Sequence, residues 1–197
     1  MPNHCENILG IAGDKEDVEK FLEFVSRPVP HKGKQEVSIF DNLIPMPEEL
    51  SGTNKSFMHE NSSEESVSLQ EKFGYDNWYD WALNNWGTKW GDYELTKSTI
   101  QTMDSSRWNS EINSIEYKQI YYMHFYYTTA WGPGSDEIMS ALAEQFPQLN
   151  AMLYYEEPGM GFAGFVVVKD GSIAHSEQWE HHQFYKDITE IDFDFYG

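Results

Sequence analysis

The chain has 197 residues, of which 40% are hydrophobic and 16% aromatic, enough to form the core of one domain with an elaboration. Asp and Glu total 33 and Lys and Arg total 13, so the formal net charge is −20. A charge of this sign repels phosphate backbones and anionic lipid, which argues against nucleic-acid and membrane-surface binding. It leaves basic proteins as partners or mimicry of a nucleic acid's charge, with simple solubility as the plainer interpretation.

The chain contains a single cysteine, Cys5, which excludes an internal disulfide and a cysteine-based zinc cluster and fits a reducing compartment. The first ten residues, MPNHCENILG, show neither a basic region nor a long apolar run, so we expect no secretory signal. No run of about 18 apolar residues occurs, so no membrane-spanning helix is expected. A soluble, cytoplasmic protein is predicted.

A strand followed by a helix is predicted at the start of the chain. Residues 6–13, ENILGIAG, form a short, mainly apolar run that ends in glycine, which is typical of a buried strand. Asp14 is expected to cap a helix, because acids follow it near the positive end of the helix dipole. The apolar side chains of this helix recur at intervals of three and four residues: Val18, Phe21, Leu22 and Val25.

A second strand is predicted over residues 37–43, leading into an extended turn at Ile44-Pro45-Met46-Pro47. Residues 51–66 are polar and lack apolar periodicity, which is typical of a mobile surface loop inserted between core elements. The alternative is a segment that becomes ordered on a partner.

Four tryptophans fall within the thirteen residues 78–90. Asp76 is expected to cap a helix that ends at Gly87. Spacings of three and four place the apolar side chains on one side of it: Trp78, Trp81, Ala82 and Trp86. A packed core explains this spacing better than stacking on a sugar or a base. Lys89 is expected to lie against an indole face, and a β-type stretch follows at residues 92–103.

Residues 115–131 form the longest strand signal, with odd and even positions on opposite faces. Seventeen residues exceed the usual strand of about five or six, so a bend, a bulge or two strands are expected. The even positions include Tyr122, His124 and Tyr126. They could stack on RNA bases, but without basic residues around them a covered face is the favoured interpretation.

Gly132-Pro133-Gly134 breaks this strand, and Ser135 is expected to cap a second amphipathic helix, which Pro147 ends. Its apolar stripe consists of Ile138, Met139, Leu142 and Phe146. Three strands are predicted after it, at residues 151–155, 161–169 and 172–176 or beyond, with a two-residue hairpin turn at Asp170-Gly171. Residues 190–197 alternate apolar and acidic side chains, which is typical of an edge strand.

Five sequence blocks carry a resemblance to a known family. They are Pro2-Asn3 with Cys5 and Asn7, Leu43-Ile44-Pro45-Met46-Pro47, Trp86-Gly87-Thr88-Lys89-Trp90, Thr129-Ala130-Trp131-Gly132-Pro133 and Tyr155-Glu156-Glu157-Pro158-Gly159. This series resembles the YubB-type, Api-like family of small proteins carried by phages, prophages and conjugative plasmids. The family pattern favours Pro-Pro after its T-x-W unit, from which Gly132-Pro133-Gly134 departs, and no block from Ser172 onward matches.

The resemblance implies an α+β fold of the ferredoxin-like type, in which an antiparallel sheet carries two main helices on one face. The predicted order of strands and helices agrees with it. We therefore expect a single domain over residues 1–197, with an inserted loop and Trp-rich helical segment at about 47–92 and an acidic C-terminal tail at about 176–197. The resemblance also implies a mobile-element protein in a bacterial cytoplasm, but no catalytic residues.

Residues 175–182, HSEQWEHH, form the most metal-like cluster. On a strand, His175, Glu177 and His181 share one face; on a helix, His175, Gln178 and His182 do. Imidazole with carboxylate can hold zinc or a non-haem metal, but the H-E-x-x-H order is absent and His beside Glu is common on surfaces. No cofactor is expected.

Three further patterns have structural explanations. Cys5 and His4 point to opposite faces of a strand, so a structural cysteine is favoured over a nucleophile with its base. Glu156 and Glu157 could be paired carboxylates for acid–base chemistry, but exposed charges on a hairpin tip are simpler. The glycine-rich run at residues 159–164 lies between strands and opens no helix, which excludes a dinucleotide site.

The favoured function is a non-enzymatic, acidic binding protein of a phage or mobile element that inhibits or modulates a host protein, such as a defence or nucleic-acid-handling factor. The predicted binding residues are Trp86, Lys89, Trp90, Trp131, Glu156 and Glu157. A small-molecule or metal-dependent enzyme using residues 175–182 is the alternative, and single-stranded RNA binding is weaker. Trp131 is expected to pack with the tryptophans of residues 78–90; exposure would instead favour a binding role.

Overall fold

A computed structural model describes residues 3–29, 37–53, 64–111 and 113–180. The helices in these ranges are α1 (Lys15–Val25), α2 (Ile39–Leu43), α3 (Glu48–Ser51), α4 (Glu64–Phe73), α5 (Trp78–Asn85) and α6 (Asp136–Gln145). The strands are β1 (His4–Gly13), β2 (Tyr93–Lys97), β3 (Gln101–Asn109), β4 (Ser114–Ala130), β5 (Asn150–Glu157), β6 (Phe162–Lys169) and β7 (Ser172–Glu180).

The strands form one antiparallel sheet in the order β2-β4-β1-β5-β6-β7, and β3 pairs with β4 on the side where β2 lies. The first strand lies between β4 and β5, which are joined through α6, so the two strand–helix units interlock as in a ferredoxin-like fold. Strands β6 and β7 extend the sheet through hairpins. The predicted α+β, ferredoxin-like class is confirmed.

Among the described residues, the sheet has one face covered by helices and one face without helices, which we call the open face. Leu9 of β1 pairs with Phe125 of β4 and with Leu153 of β5, and all three are buried on the covered face. The neighbouring row, Ile8 with Tyr126 and Tyr154, points to the opposite side because strand side chains alternate. All six described helices contribute side chains to the cluster on the covered face.

On this face, edge-to-face aromatic pairs join the two main helices to each other and to the sheet. The Phe21 ring of α1 lies 5.6 Å from that of Phe125 in the sheet and 5.0 Å from that of Phe146 at the end of α6. Burying each such side chain contributes about 1.5–3 kcal/mol to folding. The predicted apolar stripes of α1 and α6 therefore face the sheet.

Residues 37–43 were expected to form a strand, and this expectation is wrong. They contain α2, whose N-cap Ser38 accepts a hydrogen bond from the Asp41 amide at 3.1 Å. The buried carboxylate of Asp92 accepts from the amides of Ile39 and Phe40 at 2.9 and 3.0 Å and from the Ser38 hydroxyl. A carboxylate more than fifty residues away thus stabilises a helix start that the β-rich local sequence does not indicate.

Two of the three predicted N-cap residues occupy the predicted positions, and the third prediction is wrong. Asp14 and Ser135 occupy N-cap positions without a side-chain capping bond. Asp14 instead pairs with Lys118 at 2.9 Å, and the Ser135 hydroxyl donates to the Asn85 carbonyl at 3.2 Å. The cap of α5 is Asn77, which accepts from the Asp80 amide, while Asp76 accepts from Ser66.

The longest predicted strand is a single element, β4, and the irregularity lies in its partner β2, between Tyr93 and Thr96. The even face of β4 was expected to be covered. Within the described ranges no helix packs on it, and Tyr126 is 43% exposed. This expectation is therefore corrected.

The predicted hairpin at Asp170-Gly171 is confirmed, since both residues have positive φ, 52° and 72°. Of the predicted loop at 51–66, residues 54–63 lie outside the described ranges, and residues 64–66 begin α4, which was not predicted. Residues 176–180 of the predicted tail belong to β7, and the predicted edge strand at 190–197 lies outside the described ranges.

Candidate functional site

The segment that follows α5 begins with a buried anchor. Trp86 is 1% exposed, and its indole Nε1 donates to the Ile44 carbonyl at 2.9 Å. Gly87 has φ of 71°, and a Cβ there would lie 2.6 Å from the backbone nitrogen of Ser135. Only glycine combines this left-handed conformation with so close an approach. Trp86, one of the predicted binding residues, therefore has no surface to offer a partner.

Thr88 joins this segment to the end of β4. Its hydroxyl donates to the Ala130 carbonyl at 2.8 Å and accepts from the Ala130 amide at 3.1 Å. A side chain thus completes the hydrogen bonding at the last residue of the strand. Lys89 and Trp90 follow Thr88, and Trp131 follows Ala130. The two hydrogen bonds between Thr88 and Ala130 therefore bring the three side chains together.

Lys89 lies over both tryptophan rings. Its ammonium is 3.7 Å from the ring centroid of Trp90 and 5.1 Å from that of Trp131. Both distances are within the range of a cation–π interaction, worth about 0.5–1 kcal/mol at an exposed site. The predicted contact of Lys89 with an indole face is present, and one cation contacts two aromatic side chains.

The two tryptophans remain exposed, Trp90 by 39% and Trp131 by 41%. The expected burial of Trp131 is therefore wrong. Strand β4 ends at Ala130, and Trp131 has φ of 71°, so the strand alternation that would turn this side chain toward the helices stops one residue earlier. Its amide donates to the Asn3 carbonyl at 3.0 Å, which fixes the backbone at this turn.

Two more side chains complete the cluster. The Tyr93 ring meets that of Trp90 edge to face at 6.1 Å, and the Tyr93 hydroxyl lies 2.8 Å from Nδ1 of His4. Burial raises the pKa of Tyr93, which therefore stays a neutral phenol at physiological pH. We call His4, Lys89, Trp90, Tyr93 and Trp131 the tryptophan–lysine surface. His4 and Tyr93 were not predicted, because only the pairing of β1 and β2 with β4 brings them here.

A third exposed apolar side chain lies at the same end of the sheet as this surface. Met160, 65% exposed, is in the turn between β5 and β6. In that turn Gly159 approaches the Asn3 side chain, since a Cβ on it would lie 3.2 Å from Asn3 Nδ2. Asn3 thus connects the turn to Trp131, and both stand at the same end of the sheet.

The two predicted glutamates point apart. Glu157 is 2% exposed and accepts from the Gly159 amide at 3.0 Å and from the Met160 amide, so it stabilises the turn. Glu156, on the open face, accepts from the Tyr154 hydroxyl at 2.9 Å. The carboxylates do not converge as paired acid and base, and Glu157 is not an exposed tip charge.

The predicted metal cluster is described only in part. His175 and Glu177 share a face of β7, with Nε2 and Oε2 3.3 Å apart, as the strand interpretation expects. The helical interpretation is wrong, because Gln178 lies on the other face. His181 and His182 are outside the described ranges, and within those ranges no three His, Cys, Asp or Glu side chains form a group able to hold a metal ion.

Cys5 is fully buried and points to the covered face, whereas His4 is exposed. Burial, with the nearby carboxylates of Glu157, Glu156 and Glu6, raises the pKa of its thiol to about 12, although a hydrogen bond with Thr129 acts in the opposite direction. A nucleophilic cysteine requires a lowered pKa. Cys5 therefore has the environment of a structural residue.

A cavity of about 390 Å³ lies between the start of α6 and strands β5–β7. Its walls are apolar at Met139, Leu153 and Val166. The Tyr155 hydroxyl donates to the Gln178 side chain at 3.2 Å beside it. Because this hydroxyl is already engaged within the protein, we assign the cavity no chemistry.

Comparisons with known proteins agree with this fold. Residues 107–194 match the family model of the ferredoxin-like domain in Api92-like protein. The match extends past Ser172, where no sequence block was found, and leaves the three N-terminal blocks outside. The predicted resemblance to the Api-like, ferredoxin-like family is confirmed.

The crystal structure of a protein Api92 from Yersinia pseudotuberculosis superposes with a TM-score of 0.54 at 11% identity, covering 91% of this chain and 98% of that one. At this identity the likeness shows the fold. A phage SAM lyase in complex with S-methyl-5′-thioadenosine matches at 8% identity over 91% of this chain and 90% of its own, with a TM-score of only 0.22. No curated protein matches the sequence.

In the described part of the chain, no helix has the length and apolarity needed to cross a bilayer.

Proposed function

We propose that this Api-like, ferredoxin-like protein acts without catalysis, by binding a basic protein of its host cell through the tryptophan–lysine surface. The observation that carries the proposal is the pair of exposed tryptophans, Trp90 and Trp131, both within cation–π distance of Lys89. Exposed apolar patches rimmed by polar residues mark interaction sites on protein surfaces.

The composition of this surface favours a protein partner. Tryptophan and tyrosine are enriched among the residues that dominate binding energy, and such residues cluster near the centre of an interface. Here Lys89 contacts both rings, so it restricts the motion of Trp90 and Trp131 and reduces the conformational entropy lost on binding. Met160 extends the apolar area at the same end of the sheet.

The charge of the partner follows from the surroundings. Glu6 and Glu156 pair across β1 and β5 on the open face, and Glu94 accepts from the Thr128 hydroxyl at 3.5 Å beside Tyr93. These carboxylates border the tryptophan–lysine surface within a chain of net charge −20. A basic partner would be steered toward this end, with an association rate that falls as salt rises.

The test begins with capture of partners from a bacterial host lysate at low and moderate salt, followed by affinity measurement with the purified partner. We expect the double variant Trp90→Ala/Trp131→Ala to weaken binding by roughly 30-fold or more, because a hot-spot side chain contributes about 2 kcal/mol or more. Calorimetry or surface plasmon resonance gives the dissociation constant.

Tyr126→Ala is the matched control, since this aromatic side chain is 43% exposed on the open face, away from the tryptophan pair. Its affinity should equal that of the unmodified protein. Equal affinity of the double tryptophan variant, or a loss as large in Tyr126→Ala, would contradict the proposed surface. A dissociation constant that does not change with salt would contradict the basic partner.

A further inference from the structure

The first half of β4 and strand β3 form a two-stranded arm. Strand β1 ends at Gly13, which pairs with Tyr121, so the part of β4 before Tyr121 extends past the end of β1. On its other side this part pairs with β3 through the register Ser105–Lys118 and Asn109–Ser114. We call residues 101–109 and 114–120 the β3–β4 arm.

The arm exposes large apolar side chains. Ile115 is 49% exposed and Tyr117 is 77% exposed, and they share one face of the ribbon because they are two residues apart. A two-stranded ribbon is marginally stable in water by itself. Among the described residues, no strand pairs with residues 114–120 on the side away from β3, and such an edge offers backbone groups to another strand. Both features indicate that the arm associates with a further strand.

The sequence of this edge is complementary to itself. If residues 114–120 pair antiparallel with the same residues of a second copy, a register centred on Tyr117 places Glu116 opposite Lys118 of the second copy, and Lys118 opposite Glu116. Tyr117 then faces Tyr117. Opposite charges and aromatic pairs directly across antiparallel strands contribute about 0.2–1 kcal/mol each. We propose that the protein forms a symmetric dimer through this edge of the β3–β4 arm.

The distribution of charge supports a second copy as the occupant. Residues 101–120 contain three acids and two bases, which are Asp104, Glu111, Glu116, Arg107 and Lys118. Their net charge is 2 − 3 = −1, against −20 for the whole chain, so the other 177 residues carry −19. Two copies therefore approach each other with least repulsion at their arms, and a twofold axis there closes the assembly at two chains.

The contact that Lys118 makes within the chain does not prevent this exchange. Its ammonium lies 2.9 Å from a carboxylate oxygen of Asp14, with both side chains more than 60% exposed. Exposed ion pairs of this kind contribute little, typically less than about 1 kcal/mol. Two such pairs form across the dimer, on the face opposite the Tyr117 rings, and replace it.

Charge reversal tests the pairing. The unmodified protein should sediment, and scatter light, with twice the 23.0 kDa mass of the chain. Either Glu116→Lys or Lys118→Glu replaces two attractive pairs by two repulsive ones, and we expect the dimer dissociation constant to rise by about tenfold or more. The double variant Glu116→Lys/Lys118→Glu restores opposite charges and should restore the dimer.

A mixture of the two single variants provides an independent readout. Glu116→Lys presents two lysines and Lys118→Glu two glutamates, so the two chains should form a heterodimer that neither forms with itself. This result does not depend on whether a reversal weakens the arm. A monomeric unmodified protein, or a dimer that both single reversals leave unchanged, would overturn the proposal. Trp90→Ala/Trp131→Ala should remain dimeric, which separates this interface from the tryptophan–lysine surface.

Discussion

Replacing Trp86 with alanine is expected to lower the free energy of unfolding by about 3–5 kcal/mol. The indole is 1% exposed and meets the ring of Trp81 edge to face at 5.1 Å and that of Phe40 at 6.5 Å. Gly91 approaches the same ring, since a Cβ there would lie 3.3 Å from it. Alanine would leave a large cavity and deprive the Ile44 carbonyl of its donor.

Chemical denaturation followed by far-UV circular dichroism measures this loss. Trp131→Ala is the matched control, because it removes the same side chain from a surface position and should change stability by only about 0.5 kcal/mol. Trp86→Phe keeps a ring but loses the hydrogen bond, so its stability should fall between the two. Equal losses in Trp86→Ala and Trp131→Ala would contradict the assignment of Trp86 to the core.

Local patterns predicted those parts of the fold that local forces determine. The spacing of Val18, Phe21 and Val25 predicted α1, and residues 115–131 predicted β4 within one residue at each end. Asp170-Gly171 predicted its hairpin because two adjacent positive φ angles favour such residues. In each case the periodicity or turn chemistry lies within one element.

The failures have a common physical cause. Residues 37–43 are β-rich, yet they form a helix because Asp92, distant in sequence, accepts hydrogen bonds from its first amides. No pattern within residues 37–43 contains that information. The exposure of Trp131 likewise depends on the strand ending at Ala130, where Thr88 bonds the last backbone groups.

The candidate surface was predicted only in part, because some of its residues are brought together by contacts between distant parts of the sequence. Lys89, Trp90 and Trp131 stood out by residue type, whereas His4 and Tyr93 join them only through the pairing of three strands. Within Trp86-Gly87-Thr88-Lys89-Trp90, the first three residues fasten the segment to the core and the last two reach the surface. One short motif therefore combines a buried anchor, Trp86, with an exposed contact residue, Trp90. The number of tryptophans in the motif does not distinguish these two roles.

Alkaline pH is expected to destabilise the protein through Cys5. Burial raises the pKa of the thiol from 9.0 to about 12 in the folded chain. Below pH 9 both states hold the proton, so stability is fully present there. Between these two pKa values the unfolded chain loses the proton while the folded chain keeps it, so stability falls as pH rises. A difference of three pKa units, 12 − 9, corresponds to about 4 kcal/mol at the upper end of this window.

Three phenols act in the same direction from a higher pH, since burial also raises the pKa of Tyr93. Burial raises the pKa of Tyr155 from 10.0 to about 12 and that of Tyr127 well above 10.0, so each also favours the unfolded chain once free tyrosine ionises. The contribution of Cys5 begins about one pH unit earlier, because an ordinary thiol ionises before an ordinary phenol. The pH interval between those two values therefore reports mainly on the thiol.

Urea denaturation at intervals from about pH 8 to pH 11 measures the decline, with Cys5→Ala as the control. Alanine removes the titrating group, so its stability should stay level where that of the unmodified protein begins to fall. Above about pH 10 both proteins should lose stability as the tyrosines titrate, and the unmodified protein should keep the steeper decline, because its thiol contributes up to a pKa of about 12. The slope with pH decides the outcome, since the smaller side chain shifts stability by a constant amount at every pH. An identical slope in Cys5→Ala between about pH 9 and pH 10 would show that the thiol is not the group responsible.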